Sequence, residues 1–306
     1  MSKLHWLALV SLPGIGGATG RKLIERFGSI EAAFAAPDAE LARVPRLSAD
    51  LVARLRSVSL EALEAELAAL ADEGLGVLTW DDPHYPANLR GLSDAPPVLF
   101  TRGSLRPDDA DAVAIIGTRE PTPAGMAAAT TIARELAGRG LTVVSGLAIG
   151  IDTAAHRGAL EAPTGRTLAV PGSGLRALHP RQNVPLAERI VRRGALLSEV
   201  HPNTPPSGPV LMARDRITSG LARAVIVVEA GEKSGSLDTA GRARRQGRLV
   251  LALAGSPGTD KLIAKGAGPL TWRGLDFDAL DRRIRGHALP GDEKPGKGDG
   301  QLSLWE

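Results

Sequence analysis

The sequence contains no cysteine. Without thiols a chain forms no disulfide framework, no thiolate zinc site and no cysteine nucleophile, so disulfide-stabilised and zinc-finger folds are excluded. Aromatic residues are also scarce, at 3% of the chain, and none lies between Phe100 and Trp272. A nucleic-acid site in that interval would therefore depend on contacts to phosphate rather than on stacking of bases against aromatic rings.

Long apolar runs are missing as well. No segment approaches the roughly 20 apolar residues that a membrane span requires, and residues 1–10 lack the basic and apolar regions of a signal peptide. We therefore expect a soluble, cytoplasmic protein without membrane contact.

The charge is nearly balanced, with 37 Lys and Arg residues against 34 Asp and Glu residues and a net charge of +3. Its distribution is more informative, because the segment from His201 to Arg273 has eleven basic residues and five acidic ones. This excess favours a polyanionic partner, although solvated helix surfaces have a similar composition.

The first 70 residues predict a small all-helical module, with leucines at helical spacing over residues 60–71. Residues 12–19 (LPGIGGAT) resemble a helix-hairpin-helix turn, whose glycines let backbone N–H groups approach a phosphate. The alternative is a tight turn in a protein-interaction module. A second candidate hairpin at residues 44–48 (VPRLS) favours that alternative because it lacks glycine.

The signal from Ala112 onward is a series of short apolar runs: AVAIIG, LTVVSG, TLAVPG, AVIVVEA and LVLALAG. Helix-length segments separate them, and strands that alternate with helices in this way form a parallel sheet with right-handed crossovers. The fold class is therefore predicted as α/β, with a doubly wound parallel sheet over about 110–272.

Two flanking segments are less regular. Residues 74–110 are rich in proline and aspartate and carry Trp80, Tyr85 and Phe100, which predicts a loop or further strands of the same domain. Residues 273–306 begin with an amphipathic pattern and then become rich in glycine and proline. We expect them to form a flexible tail.

Loops rich in glycine and small hydroxyl residues follow four of the predicted strands: Gly117-Thr118-Arg119, Ser145-Gly146-Leu147, Gly172-Ser173-Gly174 and Ser234-Gly235-Ser236. The carboxyl ends of parallel strands meet at one edge, so these loops predict an anion-binding rim of backbone N–H groups and hydroxyls. Neither a GxxxxGK[ST] motif nor a GxGxxG motif after the first of these strands is present. Nucleotide hydrolysis and NAD chemistry therefore lack their usual residues, and we predict no cofactor and no metal.

Five motifs occur in a distinctive order: residues 115–125 (IIGTREPTPAG), 145–160 (SGLAIGIDTAAHRGAL), 169–183 (AVPGSGLRALHPRQN), 198–209 (SEVHPNTPPSGP) and 227–248 (VVEAGEKSGSLDTAGRARRQGR). This order resembles the DNA-processing A (DprA/Smf) family, and LPGIG and FGSIEAAF near the start resemble its N-terminal helical module. The resemblance implies a SAM/helix-hairpin-helix-like domain over 1–70 and an extended Rossmann-like domain over 71–272. It also implies a non-catalytic homodimer that binds single-stranded DNA and passes it to the RecA recombinase during natural transformation.

The resemblance carries a set of residues over to the DNA pocket, for phosphate capture and charge neutralisation: Gly117, Thr118, Arg119, Ser145, Gly146, Gly172, Ser173, Gly174, Arg214, Arg216, Ser234, Gly235, Ser236 and Lys261. Asp152 and His156 lie four residues apart and look like an acid–base pair if that segment is helical. The resemblance implies that Asp152 and His156 have structural roles instead. We interpret Glu199 and Glu229 as structural residues as well.

Three positions depart from the family pattern. Asp215 and Asp260 stand where the family has asparagine, and Ile149 replaces a usual arginine. Each change removes or opposes positive potential, which predicts weaker DNA binding or a different ligand.

Two other functions remain open. One is an enzyme similar to the phosphoribohydrolases that cleave nucleoside monophosphates, although these need a glutamate beyond a glycine-rich turn where this chain has Asp238. The other is a diverged paralogue that senses a nucleotide or modified DNA.

The final residues resemble the peptide that docks on the bacterial sliding clamp, through Gln301, Leu302, Leu304 and Trp305. Presentation of apolar anchors on a flexible tether suits such docking. The alternative is an apolar terminus that folds back on its own protein. About thirty residues follow the last predicted strand, so we do not expect the winged-helix domain that the family often carries.

Overall fold

The computed structural model describes residues 2–290. The first part is a group of six helices: α1 (Ser2–Val10), α2 (Gly17–Phe27), α3 (Ile30–Ala35), α4 (Asp38–Leu41), α5 (Ala49–Arg56) and α6 (Leu60–Asp72). The starts of α3, α5 and α6 are set by N-caps, because Ser29, Ser48 and Ser59 each accept a hydrogen bond from the backbone N–H three residues later.

One sheet organises the rest of the chain. Its strands are β1 (Leu75–Thr79), β2 (Val98–Gly103), β3 (Ala112–Ile116), β4 (Thr142–Ser145), β5 (Arg166–Ala169), β6 (Gly194–Ser198), β7 (Ala224–Val227), β8 (Leu249–Leu253) and β9 (Gly268–Leu270). The spatial order is β1-β2-β6-β5-β4-β3-β7-β8-β9. Strands β3 to β9 pair in parallel, whereas β2 pairs antiparallel with β1 and β6. The predicted doubly wound α/β fold is confirmed, and residues 74–110 supply strands.

Eight helices connect or follow the strands: α7 (Ala87–Arg90), α8 (Pro123–Gly138), α9 (Ile151–Glu161), α10 (Val184–Val191), α11 (Gly208–Gly220), α12 (Gly235–Arg245), α13 (Pro257–Ala264) and α14 (Phe277–Arg285). Successive side chains of a strand point to opposite faces of the sheet, so the buried residues form one apolar cluster on each face. Val113 and Ile115 of β3 pack in the cluster with α8, α9 and α14. Ala114 and Ile116 pack in the cluster with α7, α11 and α12.

The helical module packs directly on the antiparallel end of the sheet. Its buried residues share one apolar cluster with Val98 and Phe100 of β2 and with Leu186 and Ile190 of α10. The glycine-rich hairpin is part of this contact, because a Cβ on Gly17 would lie 2.2 Å from the carbonyl oxygen of Ala95. This arrangement agrees with the packing interpretation of the hairpin.

The packed part of the chain extends beyond the predicted boundary at residue 272. In α14, Leu280 and Ile284 are buried against the sheet domain, and Arg285 makes ion pairs with Asp111 at 2.7 Å and Asp281 at 2.9 Å. The expectation of a flexible tail from residue 273 is thus wrong for residues 277–285, since their amphipathic pattern forms a helix that buries its apolar side. The clamp-like peptide lies outside the described residues.

None of the helices between Ser2 and Pro290 combines the length and the apolar character needed to cross a bilayer.

Candidate functional site

A cavity of about 560 Å³ opens at the carboxyl ends of the central strands. The order of strands reverses at β3, which lies between β4 and β7, and ligands of doubly wound folds bind at such a reversal. We call it the edge cavity. Its lining residues are Ile116, Gly117, Thr118, Arg119, Ala148, Asp152, Leu211, Met212, Arg214, Asp215, Thr218, Gly231, Lys233, Ser234, Gly235, Ser236 and Thr239.

Half of the predicted DNA-binding residues line this cavity: Gly117, Thr118, Arg119, Arg214, Ser234, Gly235 and Ser236. They come from the loop after β3, from α11 and from the start of α12. The lining residue Lys233 was not predicted, although it immediately precedes the Ser234-Gly235-Ser236 loop.

Two further predicted residues lie beneath the cavity rather than in its wall. Ser145 is fully buried and donates a hydrogen bond of 2.6 Å to the carbonyl oxygen of Ile115. Gly146 lies against the guanidinium of Arg214, where a Cβ would be 1.4 Å from Nη1. These residues shape the floor that holds Arg214.

The third glycine-rich loop does not reach the edge cavity. A Cβ on Gly172 would be 2.2 Å from Leu211, and a Cβ on Gly174 would be 2.2 Å from the carbonyl oxygen of Pro202. The Ser173 carbonyl accepts a hydrogen bond of 2.9 Å from Ser198. This loop is therefore covered by α11 and by residues 198–204, which explains why it contributes no lining residue.

Arg216, expected beside Arg214, instead faces away from the edge cavity. Its Nη1 and Nη2 donate to the two carboxylate oxygens of Glu199 at 2.8 Å and 2.6 Å, and its Nε lies 3.6 Å from Asp94. Lys261 is exposed on α13 and does not line the cavity. Charge from Arg216 is thus already neutralised by the protein.

Arg214 is the central cation of the site. The residue is 8% exposed and its Nε lies 3.3 Å from Oδ1 of Asp215. Its Nε has no hydrogen-bond acceptor among residues 2–290 and is held only by the ion pair with Asp215. A buried guanidinium with free N–H groups beside a cavity is suited to an anionic or carbonyl oxygen of a ligand.

Asp152 holds the loop that carries Gly146. Its carboxylate accepts hydrogen bonds from the backbone N–H groups of Gly146 at 3.1 Å and Ala148 at 3.4 Å. Burial raises the pKa of Asp152, and the nearby Arg214 partly opposes that rise. The carboxylate of Asp152 therefore binds backbone N–H groups of its own loop, which agrees with a structural rather than a catalytic role.

His156 is fully buried behind the site. Its Nδ1 lies 2.7 Å from the hydroxyl of Thr167, which itself donates to the Val143 carbonyl, so Nδ1 carries the proton. Burial lowers the pKa of His156 to about 3. No hydrogen bond joins His156 to Asp152 within the described chain, so the two do not form an acid–base pair.

The two glutamates at strand ends also have structural contacts. Glu229 accepts hydrogen bonds from the Thr122 N–H at 3.1 Å and the Thr122 hydroxyl at 2.9 Å, at the start of α8. It therefore occupies the positive end of that helix. Glu199 is bound by Arg216.

The three departures from the family pattern fall in different places. Asp215 lines the edge cavity, and Ile149, at its border next to Ala148, is 36% exposed. Asp260 accepts a hydrogen bond of 2.9 Å from the Gly255 N–H and does not line the cavity. Of these three positions, only Asp215 adds a carboxylate to the cavity lining, which also contains Asp152. Among the described residues, no group of histidines, aspartates or glutamates is arranged to hold a metal ion.

Residues 76–274 match the model of the family described as DNA recombination-mediator protein A. The chain belongs to this family. The SAM-like helix-hairpin-helix tandem model matches residues 7–58, in agreement with the helical module. A relative in this family, the DNA processing protein DprA of Bacillus subtilis, is 38% identical over 71% of this chain and 75% of its own length.

Two solved structures named DNA processing protein A share much of this architecture. DNA processing protein A from Streptococcus pneumoniae matches with a TM-score of 0.77 and 31% identity, over 88% of this chain and 94% of the other. DNA processing protein A from Helicobacter pylori matches with a TM-score of 0.61 and 30% identity, over 69% of this chain and 96% of the other. The Helicobacter structure is described in terms of a single-stranded DNA binding mode. The sequence resemblance is therefore confirmed at the level of family and fold.

Proposed function

We propose that this chain binds single-stranded DNA in the edge cavity and acts in DNA processing during natural transformation, without catalysing a reaction. The observation that carries the proposal is the buried guanidinium of Arg214, which lies at the edge where ligands of this fold bind and whose Nε has no hydrogen-bond acceptor in the described chain beyond its ion pair with Asp215. Family membership supports nucleic acid as the ligand.

The rim of the cavity suits a phosphate backbone. Arg119 and Lys233 are exposed on two of the lining loops. Helix α12 begins at the cavity, and its N-cap Ser234 makes no capping bond with its side chain, so the positive end of the helix is open to an anion. A strand of DNA would thus cross the rim between these two cations, with Arg214 beneath it.

The absence of catalysis is supported by the contacts of the titratable groups. Asp152 is bonded to two backbone N–H groups, and the low pKa of His156 keeps it neutral behind the cavity. Asp238, which would substitute for the glutamate of a hydrolase, is exposed on α12 and does not line the cavity. Incubation with nucleoside monophosphates should release no free base.

Binding to labelled oligo-dT and to a matched duplex, measured by fluorescence anisotropy across a salt series, tests the proposal. We expect the single strand to bind more tightly, with a log–log salt slope of about −0.7 for each phosphate contact. Arg214→Ala should weaken binding, whereas the matched variant Arg216→Ala should leave it nearly unchanged because Arg216 is paired with Glu199. Salt-insensitive binding, or equal losses in the two variants, would contradict the proposal.

The partners follow from the same proposal. We place the protein in the cytoplasm as a homodimer that delivers single-stranded DNA to RecA, and we assign Gln301, Leu302, Leu304 and Trp305 to docking on the sliding clamp. Light scattering reports the dimer, and RecA filament formation on coated DNA reports delivery. Binding of the purified clamp should be lost in Leu304→Ala with Trp305→Ala and kept in Ser303→Ala. A monomer in light scattering would reject the homodimer, and a failure to accelerate filament formation would reject delivery to RecA. Unchanged clamp binding in the double variant would reject the docking role of the C-terminal residues.

A further inference from the structure

The inner end of the edge cavity has a carboxylate beside a guanidinium. Asp215 Oδ1 lies 3.3 Å from Nε of Arg214, and both residues line the cavity. The ion pair is made through Nε, and no hydrogen bond from the terminal nitrogens of Arg214 is formed within residues 2–290, so their N–H groups can donate to a ligand. The cavity thus offers hydrogen-bond acceptors and donors next to each other.

A second phosphate does not suit this end of the cavity. The carboxylate of Asp215 and that of Asp152 both line it, and like charges repel strongly where water is scarce. Burial raises the pKa of both carboxyl groups, although Arg214 opposes the rise. Asp152 already accepts two backbone N–H groups, so the ionised form of Asp215 is the one that N–H donors from a neutral ligand would further stabilise.

Apolar side chains form the wall next to these groups. Leu211 and Met212 of α11 line the cavity, and Met212 is 57% exposed. Met212 and Ile149, at the border, are the two exposed large apolar side chains of the described chain. Exposed apolar surface beside charged groups is suited to a flat ring with a polar edge.

The hydroxyl of Thr218 adds an independent observation. Thr218 is fully buried and lines the cavity, and its Oγ1 has no hydrogen-bond partner in the described chain. Buried hydroxyls are normally hydrogen-bonded. This one is available to a ligand that fills the inner end.

We propose that the inner end of the edge cavity binds a nucleobase, guanine, with Asp215 as the residue that determines specificity. The base would donate from N1–H and the N2 amino group to the carboxylate, and its O6 would accept from Arg214. Adenine and cytosine present one amino group beside an acceptor, and the N3–H of thymine lies between two carbonyls that a carboxylate repels. The inference rests on the proposed binding of single strands.

The test compares oligo-dT with the same oligonucleotide carrying one central dG or one central dI (deoxyinosine), which differs from dG only by lacking the N2 amino group. With the wild-type protein we expect the dG strand to bind about tenfold more tightly than the dI or dT strands. Asp215→Asn should lose that preference and bind plain oligo-dT more tightly, because a negative charge near phosphate is removed. The control Glu232→Gln removes an exposed carboxylate outside the cavity and should keep the preference.

Equal affinities for the dG, dI and dT strands would overturn the guanine site while leaving the proposed function intact. If no oligonucleotide binds but guanosine monophosphate binds with inosine monophosphate rejected, the proposed function fails and the guanine site stands. A preference that survives in Asp215→Asn would assign the discrimination to other residues and reject the role of Asp215.

Discussion

Replacing Gly146 by alanine perturbs the candidate site through a single methyl group. The backbone of Gly146 is not in the left-handed region, so alanine can adopt it. Its Cβ would lie 1.4 Å from Nη1 of Arg214, and ordinary contact begins at 3.4 Å, so the guanidinium must move by about 2 Å. The fold should persist because the flexible end of one side chain can shift.

The expected effect is on binding. A charge-assisted hydrogen bond contributes roughly 1.5–3 kcal/mol, so its loss should weaken single-stranded DNA binding about ten- to hundredfold. Anisotropy with oligo-dT at fixed salt measures this loss. Since both changes remove the same contact, the double variant Gly146→Ala/Arg214→Ala should bind oligo-dT with the same affinity as Arg214→Ala alone.

The control is Gly138→Ala in α8, where an added Cβ has no neighbour within 4 Å. It should leave DNA affinity unchanged. If Gly146→Ala binds as well as the wild type, or if its loss adds fully to that of Arg214→Ala, then the position of Arg214 over Gly146 does not determine binding and the reasoning is refuted.

Three further predictions concern stability. Burial lowers the pKa of His156 from 6.5 to about 3, so the unfolded state binds more protons than the folded state between these pH values. The contribution of neutral His156 to the free energy of unfolding is therefore complete above pH 6.5 and is lost as the pH falls. In urea unfolding, the decrease in the free energy of unfolding from pH 7 to pH 5 should be about 2 kcal/mol smaller in His156→Gln than in the wild type. Glu229→Ala should cost about 1–2 kcal/mol in urea unfolding because the Thr122 N–H loses its acceptor, and a cost as large in Glu229→Gln would contradict the capping role. Arg166 and Asp109 form a buried pair at 2.6 Å, so Arg166→Met should cost about 3–5 kcal/mol in thermal unfolding, and Asp109→Asn added to it should recover part of that loss.

The sequence was a good guide to the parallel part of the sheet, because apolar runs followed by glycine mark strands buried on both faces. It did not identify β6, whose apolar stretch is only Ala195 to Leu197. It left β1 and β2 unresolved, since the strands pair antiparallel at one end of the sheet and proline-rich segments separate them. It also missed α14, whose apolar positions are separated by arginines and aspartates.

For the site, strand order limited what could be predicted. Loops after β3 and β7 meet because these strands are neighbours, whereas the loop after β5 is covered by Leu211. The sequence resemblance assigns both Arg214 and Arg216 to the pocket, but residues two apart on a helix do not share a face. That spacing could have shown that only one of them reaches the cavity. No sequence pattern indicated that Asp260 would be bonded to its own loop.

The position of β2 between β1 and β6 has a consequence for synthesis on the ribosome. The strand ends at residue 103, but its second neighbour is complete only at residue 198. At roughly 5–20 residues per second, this interval lasts about 5–20 seconds. During that time one side of β2 is an open edge, and the apolar cluster of the helical module lacks Leu186, Ile190 and Leu196. The module that leaves the ribosome first therefore completes its core only after residues 186–196 have been synthesised.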